Sequence, residues 1–105
     1  MPIIILNAEE KHRANPKSFW IPTQLQRYGL KPGNVAKLIF RETTGPSDPS
    51  AERMWVLIKS VKRNGKPSYI GSVDNHPITP HGPKYGHTVV FGPEHIIDVY
   101  TDPLP

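Results

Sequence analysis

Apolar and polar residues alternate through the segment Val35–Arg41. Successive side chains of a β-strand point to opposite faces of a sheet, so this alternation predicts a strand. Ala36, Leu38 and Phe40 share one face of it and would face the core. The opposite face carries two basic side chains, which makes it the poorer candidate for burial.

The longest predicted strand is Glu52–Arg63, and both of its faces are apolar near its start. Such a pattern is typical of a central strand that is covered on both sides. The pair Asn64 and Gly65 then favours a tight type I′ hairpin turn, in which both central residues need a positive φ. Tyr69–Val73 would be the returning strand, and Gly71 within it marks a bulge or a close approach between backbones.

Two short helices are predicted before the strands. Asn7 can cap the first, Ala8–Ala14, by accepting a hydrogen bond from a free amide of its first turn. Pro22 suits the first turn of the second, Thr23–Tyr28, and Gly29 would end it.

Bulky apolar side chains of this N-terminal part are expected in the core. Phe19, Trp20 and Ile21 form one such run, and large aromatic groups supply much of the buried area of a small protein. Leu25 and Tyr28 are three residues apart, so they share one side of the second helix and can face the core together.

Further short strands are predicted at Thr88–Phe91 and Asp98–Thr101. Together the pattern predicts an α+β protein, in which one or two short N-terminal helices pack on a small, strongly curved, mostly antiparallel sheet of four to five strands or a partly open barrel. The 105 residues suit a single domain, with a helical part in 1–30, the sheet in 34–101 and a loose tail in 102–105.

The formal net charge of +4 is unevenly distributed along the chain. Residues 1–66 hold twelve Lys or Arg and five Asp or Glu, whereas residues 67–105 hold one lysine and four Asp or Glu. A basic half of this kind can attract an anionic partner. The basic residues are nevertheless spread over several segments rather than massed, which is also typical of ordinary solvated faces.

Composition excludes several classes of protein. There are no cysteines, which excludes disulfides, thiolate metal sites and thiol catalysis. No apolar run approaches the length of a bilayer crossing, and the N-terminus lacks the basic leader and cleavage site of a signal peptide. We therefore expect a soluble, cytoplasmic protein with no membrane contact.

Four segments of the chain carry a resemblance to a known family. They are Glu52–Val56, Gly71–Pro77, Tyr85–Phe91 and Ile96–Asp98. Together they resemble the YegJ-like bacterial domain of unknown function, which has Glu-x-Met-Trp-Val, Asn-x-Pro, Gly-x-x-Val and Ile-x-Asp elements in this order. The resemblance covers about half of the chain. It implies a small α+β domain with no established activity, and it supplies no catalytic residues.

The favoured function is protein–protein interaction, by a bacterial or phage accessory domain that presents a sheet edge or an aromatic-lined groove to a partner chain. The candidate binding residues are Trp55, Tyr69, Asp74, Asn75 and His76. For Trp55 the alternative is a place in the core, and for Trp20, expected in the core, the alternative is that it lines a cleft. For Asp74 and Asn75 it is hydrogen bonding to neighbouring backbone amides.

The alternative function is nucleic-acid binding by the predicted hairpin at residues 59–66. Lys59, Lys62, Arg63 and Lys66 can reach phosphates there. Tyr69 can stack on a base. Lysines at a hairpin tip also keep it soluble and prevent edge-to-edge pairing, which is the competing explanation.

A metal- or small-molecule-binding enzyme is the third hypothesis. Its candidate groups are His76, His81, His87 and His95 with Asp74, Glu94, Asp98 and Ser72. The spacing of the histidines matches no known ligand motif, and no nucleophile elbow or phosphate-cradling glycine loop is present. We expect no enzymatic activity, no cofactor and no metal site.

Overall fold

The structure, a computed structural model, describes residues 3–42, 51–74 and 83–100. Its strands are β1 (Ile3–Ile5), β2 (Val35–Glu42), β3 (Ala51–Asn64), β4 (Lys66–Val73), β5 (Thr88–Phe91) and β6 (Asp98–Tyr100). Two helices, α1 (Ala8–Ala14) and α2 (Gln24–Tyr28), lie between β1 and β2, and a single 3-10 turn occupies Pro93–His95.

All strand pairs among the described residues are antiparallel, in the order β1-β2-β3-β4-β5, with β6 also paired to β2. β1 lies against residues 40–42 of β2, and β6 lies against residues 35–37. Both therefore occupy the edge of β2 that faces away from β3. The sheet curves into a nearly closed, barrel-like form on which the helices pack. The predicted α+β class with a strongly curved antiparallel sheet is confirmed.

The core lies inside this curved sheet. Ala36, Leu38 and Phe40 are all buried, as the alternation in β2 predicts. From the other elements the same cluster takes Leu30, Met54, Val56, Ile58, Tyr69, Val73, Phe91 and Ile96. A second, smaller cluster forms where α1 covers the outer side of the sheet and consists of Ala8, Ile39 and Ile97.

The Asn7 cap and the Gly29 stop are confirmed, but α2 begins at Gln24, so Thr23 is its N-cap and Pro22 precedes the helix rather than lying in its first turn. Asn7 Oδ1 accepts a hydrogen bond from the amide of Glu10 at 2.9 Å, which satisfies a free donor at the start of α1. At α2, Thr23 and Gln26 form a reciprocal capping box. The amide of Gly29 donates to the carbonyl of Leu25 at 3.1 Å and ends the helix.

Two expectations about burial are wrong. Trp20 is 67% exposed and Leu25 is 84% exposed. The inward side of α2 is taken instead by Arg27, which is only 7% exposed and donates hydrogen bonds to the carbonyls of Pro22 and Pro93. A short helix presents only one side to the protein. Arg27 occupies that side of α2, so Leu25 points into solvent.

The same arginine joins α1, α2 and the core. Its guanidinium forms an ion pair with Glu9 of α1. Its backbone carbonyl accepts a hydrogen bond from the Tyr69 hydroxyl at 2.7 Å. A buried charge is tolerated only when it is paired and hydrogen-bonded, so this network fixes how the helices sit on β4.

The hairpin between β3 and β4 is present, but its turn is not type I′. Asn64 and Lys66 are cross-strand partners, so only Gly65 lies between the strands. Gly65 has φ +84°, whereas no non-glycine residue of the described segments has a positive φ. A type I′ turn needs positive φ at both central residues, so Asn64 does not satisfy it.

Gly71 marks both a close approach and a bulge, as predicted. A Cβ at Gly71 would lie 2.5 Å from the carbonyl oxygen of Leu57 and 2.7 Å from Cγ1 of Val56. The pairing register shifts between Ile58 and Ser60 in the facing strand, which leaves Lys59 as the extra residue of a bulge.

Lys66, Glu94 and His95 form a charged cluster behind the hairpin. Lys66 Nζ lies 2.8 Å from Glu94 Oε1. Burial acts to raise the pKa of Glu94, but the hydrogen bond from Lys66 and nearby positive charge hold that pKa below its ordinary value. Burial lowers the pKa of His95, whose Nδ1 accepts a hydrogen bond from the amide of Gly92.

We predict that acid destabilises the protein through this cluster. The folded pKa of His95 lies below its ordinary value of 6.5, so the unfolded chain binds the proton first and the free energy of unfolding falls as pH drops through 6.5. Glu94 adds a further fall below its ordinary value of 4.5. Urea titrations across this range should show the upper part of the fall reduced in His95→Gln and the lower part reduced in Glu94→Gln. An unchanged slope in both variants would contradict the prediction.

Candidate functional site

A row of polar and aromatic side chains crosses the outer side of the sheet, which is the side away from the core. Lys37 of β2 pairs with Trp55 of β3 and with Asp98 of β6, so the three side chains share one face. The amide of Asp74 donates to the carbonyl of Trp55 at 2.8 Å and extends the row past β3. Lys37 Nζ lies 5.3 Å from the centroid of the Trp55 ring, in cation–π contact.

On one side of this row lies a concavity of about 260 Å³, which we call groove A. It is lined by Ser18, Phe19, Trp20, Lys37, Arg53, Ile97 and Asp98. The Arg53 guanidinium carbon lies 5.9 Å from the centroid of the Phe19 ring, so this cation also rests on an aromatic face.

The segment that bears Trp20 is held in place by the end of α1. The amide of Phe19 donates to the carbonyl of Asn15 at 2.8 Å. The carbonyl of Phe19 lies 2.7 Å from Nδ1 of His12. These bonds hold Phe19 against the sheet. Its neighbour Trp20 lines groove A, and its indole forms no hydrogen bond to another described residue.

On the other side of the row lies groove B, a concavity of about 310 Å³. It is lined by Val35, Trp55, Asp74 and Tyr100. Tyr100 pairs with Val35 across β6 and β2 and is 57% exposed. Grooves A and B are therefore neighbours on one face, separated by the contact between Lys37 and Trp55.

The structure brings two of the predicted binding residues together. Trp55 and Asp74 both line groove B. Tyr69 is wrong as a binding residue, because it is fully buried and its ring packs on Phe91 with the centroids 5.4 Å apart. Asn75 and His76 lie outside the described residues.

The sequence pattern did not indicate Lys37, Arg53 and Tyr100 as binding residues, and for Trp20 it left open whether the side chain lies in the core or lines a cleft. Lys37 had a usable signal, since it lies on the polar face of β2 opposite Ala36 and Leu38. Tyr100 had none, because only the folded chain brings it to the same face as Trp55.

The basic hairpin is largely engaged within the protein. Arg63 donates to the carbonyls of Tyr28 and Leu30 at 3.0 and 2.6 Å, and Lys66 is paired with Glu94. Lys59 and Lys62 are exposed. With Tyr69 buried, stacking of a base on its ring is excluded, and of the four predicted phosphate-contacting cations Arg63 and Lys66 already have partners within the fold.

The histidine hypothesis is only partly described. His76 and His81 lie outside the described residues, His87 is exposed, and His95 is half-buried behind the hairpin. Within segments 3–42, 51–74 and 83–100, no three His, Asp or Glu side chains come close enough together to hold a metal ion. In the same segments, neither helix has the length and apolarity that crossing a bilayer requires.

A third concavity, of about 200 Å³, lies where the barrel remains open between β1 and β5. It is lined by Ile3, Ile5, Phe40, Pro83, His87, Thr88, Val89 and Val90. This opening is bordered by the two edge strands of the path β1 to β5. It has neither a tryptophan nor an acidic or basic side chain other than histidine, so it lacks the groups that would orient a ligand.

Comparison with known proteins does not assign the chain to a family. No family model, no curated protein and no solved structure matches it. The resemblance to the YegJ-like domain therefore stays a prediction, and arguments about function depend on the geometry of the outer face.

Proposed function

We propose that the protein is a binding module that holds an extended segment of a partner protein across grooves A and B. The observation that carries this proposal is the exposure of aromatic side chains on one face of the sheet. Trp20 is 67% exposed, Tyr100 is 57% exposed, and Trp55 is half-buried between them. Tryptophan and tyrosine are enriched among the residues that contribute most to protein–protein binding.

The open placement of the grooves favours an extended peptide over a small molecule. Pockets for small molecules typically bury most of their ligand. Grooves A and B enclose about 260 and 310 Å³ and lie side by side on an open face. A peptide laid across the Lys37–Trp55 contact can fill both grooves with successive side chains.

The mode of recognition follows from the sheet topology. β2 is paired on one edge with β3 and on the other with β1 and β6, so a ligand on this face cannot add to β2 as a further strand. It must be held by side chains. Segments in the polyproline II conformation are recognised in this way by aromatic-lined grooves.

Nucleic-acid binding by the hairpin is the second candidate, carried by the exposure of Lys59 and Lys62. It has less support, because Arg63 and Lys66 already have partners in the fold. Contacts with phosphates would make any such binding fall steeply with salt concentration.

Substitution of Trp20 tests the proposed function. Peptides selected on the wild-type protein from a random display library should bind Trp20→Ala at least about tenfold more weakly, because an aromatic anchor is typically worth about 1.4 kcal/mol or more. Isothermal titration calorimetry with the synthesised peptides measures the change. Leu25→Ala is the matched control, since Leu25 is 84% exposed and lines neither groove. Its affinity should equal that of the wild type.

The proposal is overturned if selection yields no peptide whose affinity depends on Trp20. It is also overturned if the protein binds a thymidine oligonucleotide in a salt-sensitive manner that Lys59→Glu with Lys62→Glu abolishes, while no peptide binds. That result would establish the hairpin as the binding site in place of the outer face.

A further inference from the structure

The two grooves differ in charge. Groove A is lined by two cations, Lys37 and Arg53, and one anion, Asp98. Asp98 Oδ1 accepts a hydrogen bond from the amide of Val99 at 2.9 Å, which engages part of its charge. Lys37 is held over Trp55, and Arg53 is exposed and has no ion pair within the described residues. Groove A therefore offers a guanidinium to an incoming ligand.

Groove B carries the opposite charge. Asp74 is its one charged lining residue. Its backbone amide donates a hydrogen bond to the carbonyl of Trp55. Its side chain is exposed and forms no ion pair within the described residues. A cation on the ligand can therefore approach Asp74 while an apolar group lies between Trp55 and Tyr100.

We infer that the segment bound on this face carries an acidic residue at the Arg53 end and a basic residue at the Asp74 end, with a proline between them. This inference rests on the proposed function. Charge complementarity of this kind selects partners and fixes the register of a bound chain. A segment with like charges at both ends would meet repulsion at one groove whichever way it lay.

The spacing of the two charges matches a short extended peptide. Arg53 and Trp55 are two residues apart on β3, which is about 7 Å along the strand, and Asp74 lies beside Trp55. A polyproline II segment advances about 3.1 Å per residue, so the two charged residues of the ligand are about two positions apart, with one residue between them. Such a peptide has no internal hydrogen bonds and can lie in either direction, so the charges matter as a pair rather than in one order.

Peptides that share a central proline and differ only in the two residues that flank it test the inference. The mixed peptide carries Asp on one side and Arg on the other, and it is compared with doubly acidic, doubly basic and neutral versions by calorimetric titration. The wild-type protein should bind the mixed peptide about fivefold more tightly than either like-charged peptide, which corresponds to one exposed ion pair. In about 1 M salt this preference should vanish, because charges are screened beyond about 3 Å.

Charge reversal on the protein should change the preferred peptide. Asp74→Lys makes both grooves positive and should favour the doubly acidic peptide by about fivefold. Arg53→Glu should favour the doubly basic peptide by a similar factor. Both side chains are exposed, so neither substitution disturbs the core. Lys62→Glu, an exposed reversal on the hairpin away from both grooves, is the control and should keep the wild-type preference.

The outcomes separate the inference from the function on which it rests. Equal affinity for all four peptides, with loss in Trp20→Ala, would overturn the charge pairing and leave the proposed function in place. The charge pairing would also be overturned, and the proposed function left in place, if Asp74→Lys and Arg53→Glu keep the wild-type peptide preference. Absence of Trp20-dependent binding to any peptide would overturn both.

Discussion

Replacing Arg27 by leucine is expected to lower the free energy of unfolding by about 3 kcal/mol, because it removes one partner of a buried ion pair. The substitution leaves Glu9 without its partner and removes the donors to the carbonyls of Pro22 and Pro93. Buried acceptors that lose their donors pay the full cost of leaving water. Urea denaturation followed by circular dichroism measures the change.

Two further variants identify the cause. Arg13→Leu removes an exposed arginine from the last turn of α1 and should change stability by less than about 0.5 kcal/mol. Arg27→Lys keeps the charge but cannot reproduce the planar set of donors, so it should recover only part of the loss. If Arg27→Leu unfolds at the wild-type urea concentration, the network does not stabilise the packing of the helices.

Substitution of Gly71 by alanine should have a similar effect, with a loss of about 3 kcal/mol. The added methyl group would meet the carbonyl oxygen of Leu57 at 2.5 Å, and that atom belongs to the backbone of the facing strand. Relief requires β3 and β4 to move apart at the centre of the sheet, and overpacking of this kind typically costs about 1–3 kcal/mol or more. Thermal or urea unfolding measures the difference.

Gly65 provides the matched glycine control. An alanine there would meet no atom within 4 Å, but φ is +84° and alanine disfavours that region. The expected loss is about 1 kcal/mol, and Gly65→Asn should recover part of it because asparagine tolerates positive φ. If Gly71→Ala proves no more destabilising than Gly65→Ala, the close approach at Leu57 does not limit the side chain at residue 71.

The elements that could be predicted are those whose signals are local. Asn7 caps its own helix, Gly29 ends α2, and the alternation in β2 correctly places Ala36, Leu38 and Phe40 in the core. The exposure of Leu25 could not be predicted in this way. It follows from Arg27, whose partners include Pro93, 66 residues further along the chain.

The candidate site was predictable only in part for the same reason. Trp55 lies in a predicted strand and Asp74 directly follows the strand predicted to return beside it, so both could be proposed as binding residues from the sequence. Trp20 and Tyr100 come from opposite ends of the chain, and the cross-strand register alone brings Tyr100 beside Val35. Tyr69 was proposed as a binding residue but is buried. Its hydroxyl donates to the carbonyl of Arg27, which is 42 residues away and could not be identified from the sequence.

β1 and β6 lie end to end along one edge of β2 and run in the same direction. Together they occupy the place of one strand, although they come from the first and the last parts of the described chain. The gap between them is bridged by the amides of Leu6 and Ile97, which donate to the carbonyls of Ile39 and Lys37. Asp98 and Tyr100 belong to the second half of this split strand. A chain that lacks β6 would therefore leave the edge of β2 unpaired at residues 35–37 and would lose a lining residue from each of grooves A and B.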